Sequence, residues 1–291
     1  MLWIFLSILA AFLWSCINIV DKFVITHEMR DPILATVIVG FVTFFGFGVI
    51  SLIFGDIKVS FVPMLLGIVG GIFSSFGVWS YYFSLSKEEV TRFIPIMSTS
   101  PLFVLLFAYI FLKEAFSSSI YLGIILLISG AILISVENFL SNFKIHKAIL
   151  VSFGCAFLFA LRNIFMKFAL TGNEIWSIFL WIGFGSFIVS FSLLLIHHPH
   201  IRKKAELGIK HLIFVGIVGT IALFTFITAI NIGPVSLTSA LLELQPLFVF
   251  VGATILSIFH PEILKEKITK SIVIQKMIAV GLIVLGAVLL V

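Results

Sequence analysis

The chain has 291 residues, of which 61% are hydrophobic and only 11% are charged, and its formal net charge is +5. Soluble globular domains usually carry about a quarter of charged residues. The composition therefore excludes an ordinary soluble domain and predicts a polytopic membrane protein. The basic balance does not indicate a nucleic-acid partner, because most Lys and Arg residues lie in short connections between apolar runs.

Apolar runs of about 20 residues, the length of a bilayer-spanning helix, recur along the whole chain. Helices are expected, because a segment in lipid must satisfy its own backbone hydrogen bonds, and the runs are too long for the strands of an outer-membrane barrel. The ten predicted spans lie near residues 2–20, 33–54, 61–85, 91–112, 119–136, 147–170, 175–196, 211–231, 235–259 and 273–291. The breaks between them leave no room for a soluble domain.

The second half of the sequence repeats the first. A shift of 145 residues places AFLWSCINIVDKFVIT, residues 11–26, over AFLFALRNIFMKFALT, residues 156–171, with eight identities in sixteen positions. The same shift places PLFV at 101–104 over PLFV at 246–249. Nearer the end of each half, GAILI matches GAVLL at a shift of 156 residues. Two motifs that share one offset predict an internal duplication.

Each predicted repeat holds five spans, so the second copy must enter the membrane from the opposite side. The sequence therefore predicts two inverted repeats, residues 1–142 and 143–291, as in many secondary transporters. Of the 18 Lys and Arg residues, 14 lie in the odd-numbered connections, three in the even-numbered ones, and Arg162 lies within a span. By the positive-inside rule this bias places the odd connections in the cytoplasm and both termini outside.

The run PLFVLLFAYIFLKEAFSSSIYLGIILLISGAILIS, residues 101–135, resembles the closing part of the EamA-type repeat of the drug/metabolite transporter superfamily. It has a helix that begins near a proline, an acidic residue at the far end of that helix, and a last helix with spaced glycines. These features are Pro101 with Glu114 in the first copy, and Pro246 with Glu262 or Glu266 in the second.

The resemblance covers nearly the whole chain and implies ten helices in the plasma (inner) membrane, no enzymatic activity, and export or exchange of small metabolites. Members of the family commonly carry Glu directly before the second-repeat proline, whereas this chain has Gln245 there and Glu243 two positions earlier. Many bacterial members also have cytoplasmic termini, the reverse of what the charge bias indicates. The absolute topology therefore stays open.

Two charged residues lie within predicted spans, Arg162 in the sixth and Glu243 in the ninth. Ionisable groups inside a membrane are costly and usually functional. Their equivalents under the 145-residue shift are Ile17 and Ser98, so neither charge belongs to the shared scaffold. We expect the two to face each other, or a common aqueous cavity, near the midplane. A purely structural ion pair, or side chains that snorkel to the interface, is the alternative.

Polar and aromatic residues complete the candidate site. Asn18 and Asn163 occupy equivalent positions, where they either flank a substrate or join helices by hydrogen bonds. Trp14, Trp79 and Tyr82 suit an amphipathic ligand or, alternatively, ordinary packing and interfacial belts. The predicted transport residues are Trp14, Asn18, Trp79, Tyr82, Ser98, Arg162, Asn163, Thr228, Glu243 and Gln245, and the predicted kinks or hinges are Pro95, Pro101 and Pro246.

The sequence contains no phosphate-binding glycine loop, no HExxH and no GxSxG motif, and we expect neither a cofactor nor a metal site. The leading prediction is a secondary carrier, monomeric or homodimeric, that moves a small metabolite such as an amino acid or an amphipathic compound, with Glu243 as the proton-coupling group. One alternative is a gradient-insensitive uniporter or exchanger of a nucleotide-type metabolite. A lipid-handling membrane protein is a third, although neither Glu88 with Glu89 nor Glu262 with Glu266 has a supporting His pattern.

Overall fold

The chain is entirely helical wherever its structure is defined. The computed structural model describes residues 1–29, 31–55, 57, 60–87, 96–135, 147–197, 206–259 and 270–290. Within those ranges there are ten helices and no strand, and eight of the helices are long and apolar enough to cross a membrane. The predicted fold class, an all-α membrane protein, is therefore confirmed.

Eight helices are continuous or end in a π-helical turn: α1 Leu2–Phe23, extended by Val24–Glu28; α2 Pro32–Phe54; α3 Phe61–Lys87; α4 Ser100–Phe107, extended by Ala108–Leu112; α5 Ser118–Ser135; α6 Lys147–Leu170; α7 Ile175–His197; and α8 Glu206–Ile232. The ninth, α9, consists of Val235–Leu241, a 3-10 turn over Leu242–Leu244, and Gln245–Phe259. The last, α10, is Lys270–Leu289. The helices α4 and α10 are apolar but shorter than a full span.

The helix ends follow from local chemistry. Asp31 caps α2, because its carboxylate accepts hydrogen bonds from the backbone N–H groups of Ile33 and Leu34 at 3.0 and 3.1 Å, and Pro32 occupies the first turn. Gly172, with φ +71°, turns the chain between α6 and α7 in the left-handed region that favours glycine. These short turns keep sequential helices close together.

The end predicted for the first span was wrong. The sequence analysis ended that span near residue 20, because Asp21 and Lys22 begin a polar stretch, but the helical chain continues to Glu28. Both charged side chains stay inside the bundle because other helices supply partners. The Tyr82 hydroxyl donates to Asp21 at 2.8 Å, and Lys22 Nζ donates to the Leu85 carbonyl at 3.0 Å.

The contacting helix pairs of the two halves are related by a shift of five helices. The most extensive contacts join α3 with α6, α2 with α7, α5 with α10, α3 with α7, and α1 with α8. If each helix of one half is replaced by the corresponding helix of the other half, α1 by α6 and so on, the pair α1–α8 becomes α6–α3 and α3–α7 becomes α8–α2. The pairs α2–α7 and α5–α10 are unchanged. All of these pairs are in contact.

Small residues allow the closest of these contacts. A Cβ atom on Gly130 would lie 2.8 Å from the Ala279 carbonyl oxygen, and one on Gly286 would lie 2.7 Å from the Gly123 carbonyl oxygen. Under the 156-residue shift, Gly130 corresponds to Gly286 and Gly123 to Ala279, so the two contacts between α5 and α10 are equivalent. Close backbone approach of this kind is the usual way in which helices associate in lipid.

Candidate functional site

Two helical breaks lie close together in the structure, one just before α4 and one within α9. In the first half, a turn at Ser98 and Thr99 precedes α4, and Pro101 lies in the first turn of that helix. In the second half, the 3-10 turn that holds Glu243 precedes the second part of α9, where Pro246 occupies the same place. Both breaks therefore lie directly before a proline, and they are equivalent under the 145-residue shift.

Ser98 and Glu243 are themselves equivalent residues, and the structure brings them together. The Ser98 side chain lies beside the Glu243 carboxyl group. Ser98 is 3% exposed and Glu243 is 8% exposed, so both are buried where the two broken helices meet. A side chain that contacts its own repeat equivalent lies near the axis that would relate the two halves. Interrupted helices at such a place are typical of transporter sites.

Arg162 lies in a separate, aromatic environment. Its guanidinium carbon is 4.6 Å from the ring centre of Phe159, 5.6 Å from that of Phe226 and 5.8 Å from that of Trp14. Trp14 and Phe159 are equivalent positions under the 145-residue shift. Cation–π attraction from three rings compensates part of the cost of burying the charge. The aromatic surroundings thus hold the guanidinium without neutralising it.

The hydrogen bonds of Arg162 leave much of its guanidinium available. Its Nε atom donates to Asn163 Oδ1 at 2.9 Å, and Asn163 Nδ2 donates to the Ser239 hydroxyl at 3.1 Å. Within the described ranges, the two terminal nitrogens of Arg162 have no hydrogen-bond partner. They are also not fully buried, because among these residues the only fully buried side-chain polar atom without a partner is Ser190 Oγ. These nitrogens can therefore donate to a ligand.

The ion pair that was one of the two expected arrangements is not formed. Arg162 and Glu243 are both in the described part of the chain, and no salt bridge joins them. Each has partners of its own, Asn163 for the guanidinium and Ser98 for the carboxyl group. The other expectation, that both face a common cavity, stays a prediction.

The sequence analysis did not predict a second buried carboxyl group, that of Asp21. It is 3% exposed, and its two oxygens accept hydrogen bonds from the hydroxyls of Tyr82 at 2.8 Å and Tyr81 at 3.2 Å. The Tyr81 hydroxyl also lies 3.1 Å from Asn18 Oδ1. Two predicted site residues, Asn18 and Tyr82, are thus brought together around an acid that was assigned to a connection. The missed signal was helical spacing, since Asn18 and Asp21 lie one turn apart.

The remaining predicted residues lie elsewhere or have local partners. Trp79 packs against Phe83, with the ring centres 5.9 Å apart, and does not reach Arg162. The Thr228 hydroxyl donates to the Phe224 carbonyl of its own helix at 2.8 Å. Gln245 is half-buried at the start of the second part of α9. Pro95, like Glu88, Glu89, Glu262 and Glu266, lies outside the described residues.

Two lysines fix the helix ends around these sites. Lys22 Nζ donates to the Leu85 carbonyl at 3.0 Å, and the equivalent Lys167 Nζ donates to the equivalent Ile230 carbonyl at 2.7 Å and to Gly233 at 2.9 Å. Cations are stabilising at helix C-termini. Both halves of the chain therefore use the same lysine contact at the end of a helix.

Glu114, the acidic residue of the family-like signature, has a structural role. Its carboxylate accepts hydrogen bonds from the backbone N–H groups of Val235 and Ser236 at 2.9 and 3.1 Å, and from the Ser236 hydroxyl at 2.7 Å. An anion at a helix N-terminus compensates the unpaired N–H groups and the helix dipole. Glu114 therefore caps α9, the helix that carries Glu243.

A cavity of about 530 Å³ opens at one end of the bundle. It lies between the start of α3, the α6–α7 turn, the start of α7 and the end of α8. Its polar lining consists of Ser60, Asn173, Glu174, Ser177 and Asn231. None of the residues predicted for the transport site lines it.

The eight spanning helices of the described residues and the ionisable side chains buried among them are those of a multi-pass membrane protein. Residues 1–136 match the EamA-like transporter family. The predicted resemblance to this family is thereby confirmed for residues 1–136, which are consistent with the drug/metabolite transporter superfamily. A match to a transporter family supports a transport function for the chain.

The whole chain also resembles solved structures. One crystal structure of another protein superposes with a TM-score of 0.75 at 16% sequence identity, over 99% of this chain and 97% of that chain. At such low identity the likeness shows a common fold alone. No curated protein matches this chain.

Proposed function

We propose that the protein is a secondary transporter that moves a small metabolite carrying a carboxylate group, an amino acid being the simplest case. The observation that carries the proposal is the state of Arg162, a buried guanidinium whose terminal nitrogens have no partner in the described part of the chain. A buried charge without a counterion is expensive in a membrane protein. A substrate carboxylate would supply the counterion by a bidentate pair of hydrogen bonds.

The aromatic rings around Arg162 support an amphipathic substrate. Trp14 packs against Phe226 with the ring centres 5.6 Å apart, and both rings contact the guanidinium. An apolar part of the substrate would lie against these rings while its carboxylate binds Arg162. Sites with mostly apolar walls and a few convergent polar groups are typical of small-molecule binding.

Movement would follow the inverted repeats, residues 1–142 and 143–291, by rocking of one against the other. The equivalent breaks at Ser98 and Glu243, each next to a proline, support this mechanism, because interrupted helices provide both hinges and free backbone groups. We assign Glu243 the role of a proton-coupling group, since a lone buried carboxyl group beside a serine can exist in protonated or ionised form. The plasma (inner) membrane is the proposed location.

The proposal is tested by counterflow and uptake in proteoliposomes that contain the purified protein. The vesicles are loaded in turn with amino acids, other carboxylates, nucleotides and organic cations, and an outward or inward pH gradient is imposed. The proposal expects exchange of a carboxylate class, accumulation that responds to the pH gradient in wild type, and loss of that response in Glu243→Gln. Counterflow of nucleotides that ignores the gradient would favour the exchanger instead, and transport confined to cations would contradict the proposal.

A further inference from the structure

We propose that Asp21, with Tyr81, Tyr82 and Asn18, forms a second proton-binding site, distinct from Glu243 and from the substrate site at Arg162. This inference rests on the proposed transport function, because it assigns to the carrier a further group that can exchange protons. Its basis is the geometry of the hydrogen bonds around one buried carboxyl group.

The carboxyl group of Asp21 has hydroxyl partners and no cationic partner in the described part of the chain. Its Oδ1 accepts from Tyr82 at 2.8 Å and its Oδ2 from Tyr81 at 3.2 Å. The neighbouring Lys22 directs its Nζ atom to the Leu85 carbonyl. Buried carboxylates are normally paired with a cation. A carboxyl group bonded only by hydroxyls can instead be stabilised in either protonation state.

The hydroxyl of Tyr81 provides a hydrogen bond for each state. It carries one hydrogen, yet it lies 3.1 Å from Asn18 Oδ1 and 3.2 Å from Asp21 Oδ2. When Asp21 is ionised, Tyr81 donates to Oδ2. When a proton binds at Oδ2, the new O–H donates to the Tyr81 oxygen, and the Tyr81 hydrogen turns to Asn18 Oδ1. Proton binding therefore breaks one hydrogen bond and forms two, without moving a heavy atom.

The second half of the chain shows that the fold does not require these polar groups. Under the 145-residue shift, Asp21 corresponds to Met166, Tyr81 to Phe226 and Tyr82 to Ile227. All three apolar equivalents are fully buried, so the corresponding place in the bundle packs well without a carboxyl group or a hydroxyl. Polar groups that packing does not need, placed at a depth where they are costly, indicate a function.

Among the described residues, the titratable groups that interact with Asp21 are Tyr81 and Tyr82 of α3. From α6, the Cys155 thiol lies near Tyr81 and donates to the Gly77 carbonyl at 3.2 Å. The apolar residues packed here from α2 and α8 include Ala35, Ile38, Val39 and Leu212. The nearest charged pair toward the end of α1 is Glu28 with His211, whose Nδ1 lies 2.8 Å from the carboxylate.

The two carboxyl groups lie nearer to opposite ends of the bundle. Asp21 lies seven residues before the end of the first span at Glu28, which corresponds to about 10 Å along a helix. Glu243 lies eight residues after the start of α9 at Val235, about 12 Å from the other end. A carrier with one proton site on each side of its substrate site could load and release protons on different faces of the membrane.

Infrared titration of the purified protein in nanodiscs tests this site without any substrate. Spectra from about pH 5 to about pH 9 separate the carbonyl band of a protonated carboxylic acid from the bands of a carboxylate. The proposal expects wild type to show a protonated-acid band that disappears as the pH rises, and Asp21→Asn to lack that component. Glu243→Gln and Glu114→Gln should retain it. The proposal would be overturned if the Asp21→Asn protein showed every titrating band that the wild type shows.

A second variant keeps the test decisive if Asp21→Asn does not fold. Tyr82→Phe removes a hydroxyl that stabilises the ionised carboxyl group, so the protonated-acid band should persist to higher pH than in wild type. An unchanged titration in Tyr82→Phe would contradict the assignment. Because no transported compound is present, failure of this titration and failure of the liposome assay are separate results, and each refutes only its own proposal.

Discussion

The equivalent residues Asn18 and Asn163 occupy oppositely charged surroundings. Asn18 shares the Tyr81 hydroxyl with the acid Asp21, whereas Asn163 accepts a hydrogen bond from the base Arg162. Both amides lie on the helix that begins its predicted repeat. The difference teaches that equivalent positions of the two halves keep the amide, while a few substitutions decide whether an acid or a base lies beside it.

The largest expected effect comes from removing Arg162, the base beside Asn163. Arg162→Ile introduces the residue that the first half carries at Ile17. It should weaken binding of a carboxylate ligand by about a hundredfold or more, because a charge-assisted bidentate pair is lost. Isothermal titration with the ligand found in the liposome assay measures the change. Lys210→Gln is the matched control, since Lys210 is exposed and pairs only with Glu206 at 2.9 Å in the described part of the chain, and it should bind like wild type.

Removing the acidic side should separate function from stability. The triple variant Asp21→Met, Tyr81→Phe, Tyr82→Ile introduces the three residues found at the equivalent positions, Met166, Phe226 and Ile227, which pack fully buried. Replacing all partners of a buried polar network by well-packed apolar groups is often neutral or stabilising. We expect an unfolding temperature at or above that of wild type and a weaker pH dependence of transport. Thermal unfolding followed by intrinsic fluorescence gives the first quantity and the liposome assay the second. A strongly destabilised triple variant would mean that the polar network holds the bundle together.

The shared glycine contacts provide a test in which the two halves should behave alike. Gly130→Ala and Gly286→Ala each place a methyl group against a backbone carbonyl of the facing helix, at 2.8 and 2.7 Å. Each should lower stability by about 1–3 kcal/mol through overpacking. Gly281→Ala is the control, because its Cβ would meet no atom within 4 Å. Unequal effects of the first two variants in thermal unfolding would argue against equivalent packing of α5 and α10.

The smallest expected effect concerns the two lysines at helix ends. Lys22→Met and Lys167→Met each remove a cation from the carbonyls of a helix C-terminus, Leu85 in one half and Ile230 in the other. Each should cost about 1 kcal/mol of stability, because each lysine loses a contact with a carbonyl at a helix C-terminus. Thermal unfolding of the two variants in parallel measures the losses. An unfolding temperature equal to that of wild type in both variants would contradict this role.

The fold was predictable because hydropathy and helix length are set by the bilayer, and these determine the ten helices without knowledge of packing. Kinks or hinges at Pro95, Pro101 and Pro246 were predicted from the residue type, and turns lie just before Pro101 and Pro246 in the described residues. The Asp21 site was not, since hydropathy treats a charged residue at the end of an apolar run as part of a connection. Only the partners supplied by α3, Tyr81 and Tyr82, make a buried acid there acceptable.

A direct pair between Arg162 and Glu243, one of the two arrangements expected, is not formed for a similar reason. Two opposite charges within spans suggest a salt bridge. The sequence alone, however, does not determine how each helix is rotated about its axis relative to its neighbours. In the structure, aromatic rings surround the guanidinium and a serine meets the carboxyl group, so each charge has its own environment. Contacts of this kind follow from tertiary packing and cannot be read from spacing along one helix.

Binding of a carboxylate at Arg162 is the central claim, and a thermal-stability panel tests it most directly. Purified wild type and Arg162→Ile are heated in parallel with amino acids, other carboxylates, nucleotides and organic cations, because a ligand that binds the folded state raises the unfolding temperature by mass action. The account predicts that a carboxylate class stabilises wild type and not the variant. Stabilisation of both proteins by the same carboxylates, or of wild type by cations alone, would contradict it.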